Sequence, residues 1–274
     1  MIKHAMFAIL LTTLPQHSLA QDSAVPSAEA PAASAKKTFR PDLVFYLGAG
    51  ATASPTYFGS DNYEVTPDIE FGFRFLRLPG DNTFGSTDPD YEPRGFSPRG
   101  SLRVVKKRSS DDHAELAGLE DVDMSIEVGL GIGYQQRNFR AYADARYGLL
   151  GHESWVGEFG ADYVARPMDG WLLTLGPRVL VGDDKYASTY FGVTPSESAA
   201  SSGRFESFDA SGGLMSAGIE LASYYSLNEK WGLVGSARWE TLLNDAADSP
   251  ITTMGSEDQF TVSFGLTRLF SLDF

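Results

Sequence analysis

The chain has 274 residues, a formal net charge of −14, 12% aromatic residues and no cysteine. The absence of cysteine excludes disulfide frameworks, thiolate metal sites, a cysteine nucleophile and the lipid-modified cysteine of a bacterial lipoprotein. The acidic charge argues against a general nucleic-acid partner, because phosphate binding needs clustered Lys and Arg side chains.

The first residues have the pattern of an export signal. A polar start at Lys3 and His4 precedes a short apolar core, and a small-x-small cleavage site ends at Ala20. The apolar core has about half of the ~20 residues that a membrane-spanning helix needs. We therefore predict a signal peptide over residues 1–20, cleaved after Ala20, and not an anchor helix.

The next segment, residues 21–40, is rich in Ala, Ser and Pro and poor in large apolar side chains. Such a composition cannot build a packed core, which favours a disordered periplasmic tether. Residues 41–274 then form the remaining domain.

Apolar and polar residues alternate from Leu43 onward. Segment 122–134, VDMSIEVGLGIGY, puts its large apolar side chains on one face and two acids, a serine and three glycines on the other. The closing segment shows the same period from Phe260 to Phe274, interrupted only by Arg268. Matches at helical spacing are missing, so the chain is predicted to be all-β.

The strands are too long for a soluble sandwich, whose strands average about 5–6 residues. A tilted membrane-spanning strand needs about 9–11 residues, and backbone groups in a bilayer must all be paired within the protein. We therefore predict a closed transmembrane up-and-down antiparallel β-barrel with its apolar face in lipid. Ten strands are expected, near residues 43–53, 63–77, 96–108, 122–136, 138–150, 153–166, 170–182, 212–228, 230–243 and 258–270.

The connections alternate in length, as an up-and-down barrel requires. Aromatic residues flank three tight turns, QQRN, ARPMDG and SLNEK, and this indicates an interfacial girdle on the periplasmic side. The long connections fall at the other end. Segments 79–95 and Tyr186 to Thr194 could each add a strand and give twelve, although ten is favoured.

Charged residues recur on the inward face. The acids are Asp68, Glu70, Glu127, Asp144, Glu158, Asp162, Glu220 and Glu240, and the arginines are Arg74, Arg140, Arg146, Arg166, Arg178 and Arg238. Charges in a narrow barrel must be paired or hydrated. Their near-balance favours a ladder of salt bridges that fills the lumen; the alternative is the selectivity lining of a narrow channel.

The outer loop 109–123 carries six carboxylates and no Lys or Arg. Solvated surface is the simpler interpretation of such a run. The alternative is a loose cation site formed by Asp111, Asp112, Glu115, Glu120 and Asp121, or contact with cation-bridged lipopolysaccharide. The calcium-loop pattern of helix-loop-helix proteins is absent from the sequence.

Catalytic candidates are few. After signal cleavage only His113 and His152 remain as histidines, and their neighbouring acids and serine are a weak signal for a hydrolase. The three alternate glycines of segment 122–134 are better explained as space for bulky neighbours than as a nucleotide loop. We predict no catalytic residue, no cofactor and no enzymatic activity.

Three loop motifs are more specific than the alternation. YFGSDNYEVTP (57–67), TYFGVTPSESAASSG (189–203) and LLNDAADSPI (242–251) resemble, in the same order, the MltA-interacting protein (MipA) / OmpV family of Gram-negative outer-membrane proteins. The resemblance covers about Leu43 to Phe270. It implies an outer-membrane barrel and, for one branch, a scaffold that bridges the murein lytic transglycosylase MltA and a bifunctional murein polymerase in peptidoglycan assembly.

The resemblance leaves other functions open. Some members of the family look like surface adhesins or permeability proteins, so a narrow channel or an adhesin is the alternative to the scaffold. Expected partners are outer-membrane lipid, lipopolysaccharide and the barrel assembly machinery, which would recognise the terminal aromatic Phe274 or Phe270.

Overall fold

The computed structural model describes residues 41–80, 82–87 and 94–273. They form one antiparallel sheet of 11 strands. The strands are β1 (Leu43–Pro55), β2 (Tyr63–Arg77), β3 (Thr83–Gly85), β4 (Gly95–Val105), β5 (Ser125–Gln135), β6 (Phe139–Gly148), β7 (Trp155–Met168), β8 (Trp171–Gly182), β9 (Gly213–Ser226), β10 (Trp231–Leu242) and β11 (Asp258–Leu272). The predicted signal peptide and tether, and Phe274, lie outside the described residues.

The strand order is that of an up-and-down barrel. Consecutive long strands from β4 to β11 pair with one another, and β11 returns to pair with β1, with Phe45 opposite Phe270. The rings of these two phenylalanines are stacked with centroids 5.4 Å apart. The predicted all-β, up-and-down antiparallel barrel is therefore confirmed.

The predicted strand count is also close to the observed one. Ten strands have 10 or more residues, and β3 adds only 3 residues from the uncertain segment 79–95. The second uncertain segment, Tyr186 to Thr194, is not a strand. Most of it is helical, because Asp183 caps the helix at Tyr186 N and the side chains of Tyr186 and Tyr190 fall on one buried face.

The sequence predicted a fully closed cylinder. The structure corrects this expectation, because the sheet is interrupted between β4 and the β2–β3 pair. Within the described part of the chain, β4 pairs with β5 and β3 pairs with β2, but no ladder joins the two edges. Prolines belong on sheet edges because they lack the N–H that a ladder needs, and Pro98 lies in β4. At the outer end Lys106 Nζ bridges the edges, 2.9 Å from Ser54 Oγ and 2.8 Å from Glu64 Oε1.

The sheet is apolar outside and charged inside, the reverse of a soluble protein. Leu130 and Phe264 are 77% and 63% exposed, whereas Glu127 is fully buried and Asp162 is 1% exposed. Water would be a poor solvent for such an outer wall, and hydrocarbon a good one. The side-chain distribution thus supports the membrane-spanning interpretation. No helix among the described residues is long and apolar enough to cross a membrane.

Aromatic residues mark the short-turn end of the barrel. Trp171 donates from Nε1 to Ser223 Oγ at 3.0 Å, and its ring lies edge-on to Tyr225. Arg268, a charge on the outward face of β11, lies at this end with its guanidinium 5.1 Å from the ring centroid of Trp231. An interfacial cation–π contact explains why a charge is tolerated there. The short turns predict that this end faces the periplasm, because short turns lie there in such barrels.

The opposite end is covered by folded loops. The outer connections 56–62, 106–124, 183–212 and 243–257 are together called the cap. They contain α1 (Asp184–Phe191), α2 (Pro195–Ala200), α3 (Asp245–Asp248), α4 (Pro250–Thr253) and a 3₁₀ turn (Ala114–Leu116). A capping box of Thr194 and Glu197 starts α2, so its local sequence alone favours the helix.

Two of the inward glycines of β5 do make space, as the alternation suggests. A Cβ on Gly129 or Gly131 would collide with β6, at the backbone of Ala145 and at the carboxylate of Asp144 respectively. A Cβ on Gly133 would have its nearest neighbour at 3.6 Å. Gly129 and Gly131 therefore let the charged side chains of β6 occupy the lumen.

Candidate functional site: a charge-filled lumen under a folded cap

Arg146 is the centre of one buried ion-pair network. Its Nε is 2.9 Å from Glu127 Oε2 and its Nη2 is 2.9 Å from Glu158 Oε2, while Nη1 donates to Ser101 Oγ at 3.1 Å. The Arg146 side chain is only 3% exposed. Two carboxylates and a hydroxyl thus satisfy the guanidinium, which is the condition for burying a charge.

A second network surrounds Asp162. Arg178 Nη1 is 2.8 Å from Asp162 Oδ1 and Arg140 Nε is 2.6 Å from Oδ2, so each carboxylate oxygen faces an arginine. The other amino group of Arg178 is 2.9 Å from Glu220 Oε1 on β9. This network links strands β6 to β9 along the inner wall.

Glu158 connects opposite parts of the wall. It forms an ion pair with Arg146 of β6, and its Oε1 is 3.4 Å from Nη1 of Arg238 on β10. Since β8 and β9 separate β7 from β10 in the sheet, this contact crosses the lumen. The predicted ladder of salt bridges is confirmed.

Sequence alternation missed two members of the ladder, Arg99 and Arg103 on β4. Arg99 Nε is 3.3 Å from Asp144 Oδ1, and Arg103 Nη1 is 3.8 Å from Glu127 Oε1. Their spacing, with Ser101 between them, has the period of a strand face and was a usable signal. The outward face of β4 includes Pro98 and Gly100. Because this face is only weakly apolar, the sequence did not identify Arg99 and Arg103 as facing inward.

One predicted lumen residue lies elsewhere. Arg166 is exposed near the short-turn end of β7 and donates from Nη1 to the backbone oxygen of Arg137 at 2.6 Å. Asp68 on β2 accepts from Thr52 Oγ1 at 3.0 Å. The ladder is thus densest on the wall formed by β4 to β10.

The space left between these ion pairs is very small. A cavity of about 10 Å³ lies between Arg99, Tyr142, Arg146 and Glu158. This is the room of about one water molecule. The guanidinium of Arg99 also covers the ring of Tyr142, with 4.1 Å between Cζ and the ring centroid.

The three loop motifs found in the sequence meet in the cap. Phe58 of the first motif packs edge-on against Tyr190 of the second, with ring centroids 5.1 Å apart. Ser249 of the third motif donates from Oγ to the backbone oxygen of Phe191 at 2.6 Å. Segments far apart in the chain therefore form one core at the mouth of the barrel.

Buried groups attach the cap to the barrel. Arg108 Nη1 donates to the backbone oxygen of Tyr190, at the C-terminal end of α1, where a cation is favourable. Burial lowers the pKa of Arg108 in spite of the nearby Glu197 carboxylate. Burial also raises the pKa of Tyr186, whose ring stacks edge-on against His152.

His152 contacts a serine through one ring nitrogen and a glutamate through the other, as the histidine of a hydrolase triad does. Its Nδ1 is 2.6 Å from Ser154 Oγ and its Nε2 is 3.4 Å from Glu127 Oε1. However, His152 and Glu127 are fully buried and Ser154 is 3% exposed beneath the cap. A substrate has no route to the serine oxygen, so the geometry supports a structural role.

His113 lies in a different loop from His152. Its ring is edge-on to Tyr57, and its Nδ1 is 3.8 Å from Glu115 Oε1. The structure does not bring the two histidines into one site.

The carboxylate loop does not converge on one point. Asp121 accepts from Ser109 Oγ at 2.6 Å, which lowers the pKa of its carboxyl, and Asp112 pairs with Lys107 Nζ at 2.6 Å. In the part of the chain that the structure describes, no group of three or more metal-ligating side chains could hold a metal ion. The cation site at Asp111, Asp112, Glu115, Glu120 and Asp121 stays a prediction.

Comparison with solved structures gives distant likenesses. The chain is similar to the COG4313 outer membrane channel from Pseudomonas putida F1, with 10% identity over 88% of this chain and 100% of that chain and a TM-score of 0.39. It is also similar to the outer membrane protein OprG from Pseudomonas aeruginosa, with 15% identity, 84% and 97% coverage and a TM-score of 0.24. Neisserial surface protein A matches with 10% identity, 82% and 97% coverage and a TM-score of 0.28. TM-scores this low do not establish a common fold.

Sequence comparison gives a firmer result. No curated protein is significantly similar to the chain. The family model described as MltA-interacting protein MipA matches residues 47–270. This range contains all three loop motifs and every long strand in whole or in part. The chain therefore belongs to the MltA-interacting protein MipA family, as a β-barrel protein of the outer membrane.

Proposed function

We propose that the protein is a non-enzymatic scaffold that bridges a murein lytic transglycosylase, MltA, and a murein polymerase during peptidoglycan assembly. The observation that carries the proposal is the filled lumen. Contacts of Glu158 with Arg146 and Arg238 cross the barrel, and the cavity between Arg146, Glu158 and their neighbours has only about 10 Å³. A barrel without a passage acts through its surfaces, and the family description names a cell-wall enzyme as a partner.

The same observation disfavours the channel alternative. A channel must bind its solute weakly and leave it a continuous path. Here the ion pairs fill the lumen, and the cap core seals its outer mouth with Tyr186, Tyr190 and Phe191, each 0–3% exposed. Little or no conductance is expected.

The absence of enzymatic activity is part of the proposal. Ser154 and His152 contact each other as a nucleophile and a base would, but both are buried, and the other ring nitrogen of His152 faces Glu127. Replacing His152 with alanine should therefore lower stability without removing any hydrolytic activity.

The periplasmic turns are the proposed docking surface, together with the predicted tether at residues 21–40. Met168 and Leu227 lie in or next to two of these turns and are 55% and 49% exposed. These two apolar side chains and the charged residues of the same turns are the contacts that we propose for the partner. The opposite end of the barrel faces lipopolysaccharide in this arrangement.

The test is co-purification of tagged full-length protein with a lytic transglycosylase from detergent-solubilised envelopes. The double variant Met168→Ser, Leu227→Ser should lose the transglycosylase. Met254 is 49% exposed in the cap at the other end, so Met254→Ser is the matched control and should retain it. Deleting residues 21–40 measures how much of the transglycosylase binding depends on the tether. Retention of the enzyme by both the double variant and the deletion would contradict the scaffold.

A further inference from the structure

Arg268 lies on the lipid-facing side of the wall near the end of β11. Two and four positions earlier on the same face, Leu266 and Phe264 are 40% and 63% exposed, and its register partner on β1, Leu47, is 41% exposed. Side chains on this face of an outer-membrane barrel contact lipid. Because Arg268 is itself exposed, its guanidinium meets groups of the membrane and not a protein interior.

Two aromatic rings hold this guanidinium at the short-turn end of the barrel. Its Cζ is 5.1 Å from the ring centroid of Trp231 and 5.2 Å from that of Phe270. Trp231 is the register partner of Arg268 on β10 and directly follows the SLNEK turn. Tryptophan is enriched at the level of the lipid headgroups. The guanidinium is therefore held at the depth at which the phosphate groups of the membrane lie.

The two rings stabilise the charge of Arg268 but do not satisfy its N–H groups. A guanidinium carries five N–H donors in one plane, and the face of a ring accepts only weak hydrogen bonds. Among the described residues Arg268 has ring contacts only, because no carboxylate forms an ion pair with it and no oxygen accepts from its side chain. Unpaired donors are costly beside hydrocarbon, so their acceptor is expected in the headgroup region.

Arg77, at the same end of the barrel, shows the other way in which a guanidinium is satisfied. Its Cζ is 5.8 Å from the ring centroid of Phe75, and its Nε is 3.4 Å from Asp42 Oδ1. A carboxylate of the protein thus neutralises Arg77. Arg268 has the ring contacts without the carboxylate, so the anion that would complete its surroundings has to come from the membrane.

We propose that Arg268 binds the phosphate group of a membrane phospholipid, whose acyl chains pack against Phe270 and Leu47. Arginine pairs with phosphate through parallel N–H···O bonds and stacks on aromatic rings at the same time. The short turns predict that this end faces the periplasm, and the periplasmic leaflet of an outer membrane consists of phospholipid. The contact fixes the depth of β11 in the membrane, and the proposed scaffold does not require it.

The test uses refolded full-length protein in an uncharged maltoside detergent and two lipids with the same acyl chains, dioleoyl phosphatidylglycerol and dioleoylglycerol. Native mass spectrometry measures the fraction of protein that carries one lipid as the lipid concentration rises. We expect the phosphatidylglycerol to bind with saturation. Dioleoylglycerol lacks the phosphate and should bind about tenfold more weakly, the loss for one hydrogen bond to a charged group. Inorganic phosphate has no acyl chains and should not displace the phosphatidylglycerol at equal concentration.

Two variants locate the site. Arg268→Gln removes the guanidinium and should weaken binding of the phosphatidylglycerol about tenfold, while binding of dioleoylglycerol is unchanged. Arg77→Gln removes the same charge at the same end, but from a guanidinium that Asp42 already neutralises. It is therefore the matched control and should bind both lipids like the wild type. An electrophoretic heat shift verifies that each variant is folded.

Three results would overturn the proposal: equal affinity for the two lipids, equal binding of the phosphatidylglycerol by Arg268→Gln and Arg77→Gln, or its displacement by an equal concentration of inorganic phosphate. The last result would identify a site for a soluble anion and not for a lipid. Co-purification of the transglycosylase is measured separately. Failure of the scaffold and failure of the lipid site are therefore distinguishable.

Discussion

Glu158 Oε1 lies 3.4 Å from Nη1 of Arg238, although their strands are separated by two others in the sheet. The same carboxylate pairs with Arg146, so one buried acid ties three strands across the lumen. Removing the Glu158 carboxylate would leave both arginines without one of their buried ion-pair partners. This relationship makes the interior a structural core built from charges.

Glu158→Gln should destabilise the barrel strongly. Removing one partner of a buried pair costs about 3–5 kcal/mol, because the remaining charge is left uncompensated. Glu153 pairs with Lys185 at 3.4 Å, and both side chains are more than half exposed. Glu153→Gln should therefore cost no more than about 1 kcal/mol. Urea unfolding followed by tryptophan fluorescence compares the two variants, and equal midpoints would refute the buried-pair account.

Lys106 should hold the two sheet edges together at the outer end. Its ammonium contacts Ser54 and Glu64, and the described residues show no ladder between these edges. Lys106→Met should lower the temperature at which the compact electrophoretic form converts to the unfolded form. Lys107 binds Asp112 at the exposed loop surface, so Lys107→Met serves as the control and should leave that temperature nearly unchanged. A larger effect at Lys107 would be inconsistent with a bridge at Lys106.

Gly131 should tolerate no side chain, whereas Gly133 should accept one. A methyl group on Gly131 meets the carboxylate of Asp144, and one on Gly133 has open space to 3.6 Å. Overpacking of this kind costs about 1–3 kcal/mol. We expect Gly131→Ala to unfold at lower urea than the wild type and Gly133→Ala to match or exceed it. The reverse order would mean that the β5–β6 packing is wrong.

Protonation of Asp183 at low pH should destabilise helix α1. Burial tends to raise the pKa of this carboxyl, but hydrogen bonds from the backbone N–H groups of Trp155 and Tyr186 outweigh it and lower the pKa. A depressed folded-state pKa stabilises the fold above the unfolded value of about 3.9, and this stabilisation is lost as the pH falls through the folded value. Hydrogen exchange should show α1 protection falling below about pH 4 in the wild type.

Asp183→Asn is the companion variant. It keeps a side-chain acceptor for the helix cap but cannot titrate, so its α1 protection should be lower at neutral pH and should change less on acidification. The exposed Asp209→Asn should behave like the wild type. The same acid dependence in wild type and Asp183→Asn would place the titrating group elsewhere.

The sheet could be predicted from the sequence because the two faces of a barrel strand meet very different environments, lipid outside and a charged lumen inside. Leu130 and Glu127 belong to one segment and obey a strict period of two, so lipid-facing and lumen-facing positions could be assigned without a structure. Arg99 and Arg103 were missed where Pro98 and Gly100 weakened that contrast.

The cap was less predictable. Its helices α1 and α2 depend on local caps at Asp183 and Thr194, but the contacts of Phe58 with Tyr190 and of Ser249 with Phe191 join residues more than fifty positions apart. Alternation carries no information on such contacts. The interrupted edge between β4 and β2 also escaped prediction, because the need to pair every backbone group argues for closure without saying which strands meet.

The filled lumen is tested by the conductance of refolded full-length protein in a planar lipid bilayer, with folding verified by the electrophoretic heat shift and insertion by protease protection in matched vesicles. We expect no channel steps above the lipid background, because ion pairs and the cap fill the lumen. Stable, reproducible conductance steps from the inserted wild-type protein would contradict it.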